Sequence, residues 1–228
     1  MNFFDSLIDD VFSLISGYGQ KKYPFDISNA RTDTGYSQVI LQRDTAYELN
    51  GTGISLVTSS DISDEIIVVG KDISEIDGNC KFARISVVQT DDMQDDQKAY
   101  NLIRKIEYVK YHYFPDGYMI RTSSSSHKES VRIAKTALKD GISFNNIGNL
   151  LIKKYKEIDA VKGVKVIFVT VPDADYDAFF RVAEKNNNIT KTLNHIMNTV
   201  NFDCDTCNLK AVCDEVEGMR ELHFKNKM

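Results

Sequence analysis

The chain has 228 residues, 42% of them hydrophobic and 27% charged, with a formal net charge of −5. Three prolines, twelve glycines and no internal repeat exclude a disordered chain, a collagen-like chain and a repeat array. The length supports one sizeable core or two small ones, and no stretch approaches the apolar length needed to span a bilayer, so no membrane role is expected.

At the N-terminus, Phe3, Phe4, Leu7, Ile8, Val11, Phe12 and Ile15 recur at helical spacing, which predicts an amphipathic helix. Asp5, Asp9 and Asp10 interrupt it and no lysine precedes it, so it does not read as a secretory leader. A cytoplasmic protein is therefore expected. Gly17 to Thr34 reads as a linker, which makes residues 1–34 a helix with its connection.

Residues 35–200 are expected to form an α/β domain with a mixed sheet and flanking helices. Short strands are predicted at Val39–Gln42, Ala46–Leu49, Ile54–Thr58, Glu65–Val69 and Phe82–Gln89, with turns at Asn50-Gly51 and Asp77-Gly78. A long amphipathic helix follows from Asp92 until Pro115-Asp116-Gly117 stops it, and Tyr118–Thr122 reads as a strand. Ser126 and Glu129 have capping-box spacing, which predicts a helix starting at His127. On such a helix Lys128, Arg132, Lys135 and Lys139 would share one face, while Val131, Ala134 and Leu138 would pack inward. Further helices are expected from Ser143 to about Ile158, after Pro172-Asp173, and over Asn188–Val200, with a buried strand at Val164–Val171.

Charge is unevenly distributed. Residues 1–90 carry 7 Lys and Arg against 13 Asp and Glu, whereas residues 127–170 carry 9 against 4. A compact basic segment in an acidic chain suits a small anionic ligand better than nucleic acid, which calls for a broader basic surface. The four histidines have no metalloprotease spacing, and neither a nucleophile elbow nor a phosphate-cradling glycine loop is present.

Residues 201–228 hold the densest chemistry. Cys204, Cys207 and Cys213 form a Cys-x2-Cys-x5-Cys cluster, and three thiols so close together in a cytoplasmic chain point to a metal centre. An iron-sulfur cluster of the [4Fe-4S] type is the first choice and zinc the second; bare or redox-active thiols are the alternative. A fourth ligand could come from Cys80, His223, Asp203, Asp214 or an external group.

The run Val131 to Gly141, followed by Ile147-Gly148-Asn149-Leu150-Leu151 and the strand Val164 to Thr170, resembles the beta subunit of the carbon monoxide dehydrogenase/acetyl-CoA synthase complex. Ala46-Tyr47-Glu48-Leu49 resembles the start of that family's middle domain, and the likeness covers roughly residues 38 to 213. It implies a mixed α/β fold and a coenzyme A site in which Arg132 and Lys135 match the family's basic stretch. Lys128 and Lys139 join them only through the expected helical face, and Ser130 stands where the family has an aromatic residue. Cys204, Cys207 and Cys213 resemble the first three ligands of the family's [4Fe-4S] cluster, although the family's gap before the third is longer.

Beyond Cys213 the sequence runs only to Met228, without the family's fourth cluster cysteine or its nickel-chelating Cys-Gly-Cys. The resemblance therefore implies a protein of one-carbon metabolism, working beside a corrinoid or one-carbon enzyme, that does not make acetyl-CoA alone. The other expectation is a non-catalytic partner-binding module with a structural zinc or iron-sulfur site.

Overall fold

A computed structural model of the chain describes residues 3–91, 96–123, 127–198, 207–216, 218–219 and 222. Its centre is a seven-stranded mixed sheet built from β1 (Gln20–Pro24), β2 (Thr45–Thr58), β3 (Glu65–Val69), β4 (Cys80–Thr90), β5 (Tyr118–Thr122), β6 (Lys128–Ala134) and β7 (Val161–Val169). Their spatial order is β1-β3-β7-β4-β2-β6-β5. The β2–β4 and β3–β7 pairs are parallel and the other four are antiparallel.

The helices are α1 (Asp5–Ile15), α2 (Asp96–Val109), α3 (Lys135–Lys139), α4 (Phe144–Lys156), α5 (Tyr176–Asn198) and α6 (Lys210–Glu215). Strand parity places them in layers. Phe82 of β4 and Phe168 of β7 stack with Phe144, so those side chains face α4. Lys165 of β7, of opposite parity to Phe168, lies with its ammonium 5.8 Å from the ring of Phe12, which puts α1 on the other face. There α1 packs with α5. Covered on both sides, β4 buries Phe82 to Val88 without interruption, the pattern of a central strand.

Several expectations hold. The strands at Glu65–Val69 and Tyr118–Thr122 form, and Ser143 caps α4 in a capping box closed by Asn146. Others are corrected. The Asn50-Gly51 dipeptide does not turn, because β2 runs through it with Asn50 paired to Lys81 on one side and Ser130 on the other. Strands held on both flanks leave no room for a hairpin, and a Cβ at position 51 would collide with the carbonyl oxygen of Phe82. Val39–Gln42 is not a strand, the presumed linker contributes β1 to the sheet edge, and the two helices expected after Pro172 are the single helix α5.

The largest correction falls on the basic segment. Lys128–Ala134 is strand β6, not a helix. Its Glu129, Val131 and Ile133 are buried while Lys128, Ser130 and Arg132 alternate with them, so a period of two prevails over the period of 3.6 that the cations also satisfy. β-Branched Val131 and Ile133 suit the pleat, and pairing with β2 and β5 supplies the hydrogen bonds. Glu129, read as a capping residue, instead meets Arg84 in the interior; Ser126 lies outside the described residues. Among the described residues no helix is long and apolar enough to cross a membrane.

Candidate functional site

The strand geometry disperses the cations expected on one helical face. Arg132 Nε lies 2.7 Å from Glu48 Oε1, its cross-strand neighbour on β2, and its Nη1 donates to the carbonyl of Ile40 at 3.2 Å. Lys135, at the start of α3, donates to the carbonyl of Arg43 at 2.8 Å. These two side chains fasten residues 40–48 to β6 and are engaged in doing so. Lys139 is exposed in the last turn of α3. Lys128, by contrast, borders two concave surfaces.

The larger of these is a groove of about 350 Å³ between β2, β4, β6 and the first turn of α5. Lys81 and Lys128 supply positive charge from two strands, and Tyr176 and Phe180 supply aromatic surface from one helix. Lys81 Nζ lies 5.6 Å from the Tyr176 ring centroid, within cation–π range. The Tyr176 hydroxyl donates to the Val171 carbonyl at 2.9 Å, which fixes the ring, and burial pushes its phenol well up. Ser130 Oγ donates to Asn50 Oδ1 at 2.9 Å and closes the floor. Asp177 adds one carboxylate, which the two ammonium groups outnumber, and with two aromatic rings and the N-terminal end of a 23-residue helix they form a surface suited to an anion attached to a flat ring. Sequence alone does not single out Lys81, Tyr176 or Phe180, since Lys81 lies on β4 and the two rings on α5, and only the tertiary fold brings them together.

The cysteine segment lies elsewhere. Cys207 precedes α6 and Cys213 lies within it; both are half-buried. Val212 and Glu215 of α6 and Val216 just after it border a cavity with Leu7 of α1 and with Lys185 and Ile189 of α5. Cys204, Asp203 and His223 lie outside the described residues, and among the described residues no group of three His, Cys, Asp or Glu side chains could hold a metal. Cys80 starts β4 near Tyr47 and Tyr176, and burial pushes its thiol up. Tyr176 and Lys185 are separated by about 14 Å at 1.5 Å per helical residue, so Cys80 and α6 meet α5 at different levels.

Fold and groove together define a mixed α/β domain with a basic, aromatic-lined cleft at one end of its longest helix. The family model of the CO dehydrogenase/acetyl-CoA synthase complex beta subunit matches residues 26–174, and the chain belongs to that family. The match spans β2 to β7, and so includes every strand that borders the groove. No curated protein matches the chain.

Proposed function

We propose that this chain is an acetyl-CoA synthase-like subunit of one-carbon metabolism that binds coenzyme A, or a ligand of the same anionic and aromatic character, in the groove between Lys81 and Lys128. The observation that carries this is the pairing of those two ammonium groups with the rings of Tyr176 and Phe180 in one groove. A phosphate placed there gains charge-assisted hydrogen bonds, and an adenine gains a stacking surface. Arg132 and Lys135, the residues that match the family's basic stretch, support the groove's outer strand through Glu48 and Arg43. A ligand reaching them directly would displace those contacts.

In the same reading, Cys204, Cys207 and Cys213 bind an iron-sulfur cluster. Thiolate chemistry and the x2 and x5 spacings support this, and zinc is the second choice. The family is named for a complex, so a corrinoid or one-carbon enzyme is the expected partner. Isothermal titration of the anaerobically prepared protein with coenzyme A, repeated with Lys128→Ala, tests the groove; absence of heat from the wild type would remove it.

One observation favours a second reading, a partner-binding module whose metal only anchors the tail. Met219 is fully buried and Leu222 nearly so, and the burial of these two apolar side chains supports an anchoring role for the segment that carries them. That reading predicts stoichiometric zinc, or iron without a redox response, and no affinity for coenzyme A.

A further inference from the structure

Where β6 begins, a second cavity of about 150 Å³ opens between β2, the C-terminal half of α2 and the middle of α5. Among the described residues it shares only Lys128 with the groove. Two side chains of α5 enter its wall with polar atoms left over. Asn186 is 4% exposed, and its Oδ1 has no hydrogen-bond partner among the described residues. The neighbouring Asn187 Nδ2 is buried and equally unpartnered among them. Leaving such a group unsatisfied costs about 1–3 kcal/mol, and two side by side mark a site that a ligand or water completes. As placed, the pair offers one acceptor, Asn186 Oδ1, and one donor, Asn187 Nδ2.

The rest of the wall carries both signs of charge. Glu107 and Lys110 come from α2 and the residues just after it, with Lys110 Nζ 4.0 Å from Glu107 Oε1. Glu129 also borders the cavity, but its carboxylate is taken by Arg84. His127 and Lys128 also border the cavity, and burial, with Lys191 and Lys110, pushes the His127 imidazole down. A lone anion would leave Asn186 Oδ1 and Glu107 facing it, and a lone cation would leave Asn187 Nδ2 and Lys110. A nucleotide is too large.

We propose that this cavity binds a small α-amino acid as its zwitterion, with the ammonium on Asn186 and Glu107 and the carboxylate on Asn187 and Lys110. Titration calorimetry on the whole protein uses glycine, L-alanine and L-serine as probes, with acetate and methylammonium as single-charge controls. At least one amino acid binds one to one, and each control binds at least about tenfold more weakly. Asn187→Leu and Lys110→Met each weaken that binding by at least about tenfold. The Lys110 side chain is 16% exposed, so its variant keeps the test valid if Asn187→Leu fails to fold. Lys81→Ala leaves amino-acid binding unchanged, which separates this cavity from the coenzyme A groove. The proposal is overturned if no amino acid gives heat, if acetate binds as tightly as the amino acids, or if Lys110→Met binds like wild type.

Discussion

Arg84 of β4 and Glu129 of β6 form a fully buried, two-pronged ion pair across the intervening strand β2, with Nε–Oε1 at 2.9 Å and Nη2–Oε2 at 2.7 Å. A third donor, Nη1, reaches Ser86 Oγ at 3.1 Å. Reaching across β2 requires an absent side chain between them: a Cβ on Gly53 would collide with Glu129 Oε2 and lie 2.6 Å from Arg84 Nη2. The bridge ties the hairpin β5–β6, which carries Lys128, to the centre of the sheet. Burial alone would lower the Arg84 pKa, but the Glu129 carboxylate beside it holds it well above the usual range.

Breaking one side of this pair leaves an uncompensated charge in the interior. Arg84→Met or Glu129→Leu is expected to cost about 3–5 kcal/mol in urea unfolding, whereas the double variant recovers much of the loss. Additive losses would show that the two side chains do not act as a unit.

Gly53→Ala is expected to destabilise the domain by at least about 3 kcal/mol, more than an ordinary glycine replacement in a strand, because the added methyl meets the bridge itself. In the Arg84→Met/Glu129→Leu background the same replacement should cost less. Equal costs in both backgrounds would sever Gly53 from the pair.

A second ion pair sets a pH dependence. Lys154 Nζ of α4 lies 2.8 Å from Asp33 Oδ2. Burial alone would raise the Asp33 pKa, but the hydrogen bonds from Lys154 and from the amides of Gly35 and Phe114 outweigh it and hold the carboxyl below its usual value. A depressed carboxyl contributes stability above its unfolded pKa of about 3.9 and loses it as pH falls through the folded value. The hydrogen bond with Asp33 raises Lys154, so its contribution is complete below an unfolded pKa of about 10.4 and is lost as pH rises through the folded one. Asp33→Asn should therefore cost about 1–2 kcal/mol at pH 7, and its penalty should shrink as pH falls below about 4. A pH-independent penalty in urea melts would contradict this assignment.

At the tail, Cys207→Ser and Cys213→Ser are each expected to remove at least half of the iron retained on anaerobic purification, together with the visible thiolate-to-iron absorption. Cys80→Ser should leave both unchanged, because Cys80 and α6 meet α5 at levels about 14 Å apart. Loss of iron with Cys80→Ser would make it the fourth ligand.

How far these features could be read from the residues depended on whether one period dominated. The unbroken β-branched run Ile66–Val69 suits a buried strand and Ser143 suits a helix cap, and both appear. Lys128–Ala134 admits two. Its cations fit a helical face and its aliphatics fit a pleat, and only pairing with β2 decides between them. Asn50-Gly51 misled for a related reason, since a turn dipeptide inside a strand flanked on both sides has no freedom to turn. Of the groove, only Lys128 was legible. Lys81, Lys128 and Tyr176 lie on β4, β6 and α5, and it is the spatial neighbourhood of β4, β2 and β6, which sequence order does not express, that gathers them.

The central claim is that the groove between Lys81 and Lys128 takes an anionic ligand carrying a flat ring, and titration with coenzyme A measures it most directly. The account predicts one-to-one binding that weakens at least about tenfold in Lys81→Ala and in Lys128→Ala, with Lys139→Ala unchanged. Wild-type protein that gives no heat with coenzyme A, or binding that survives loss of both lysines, would contradict it.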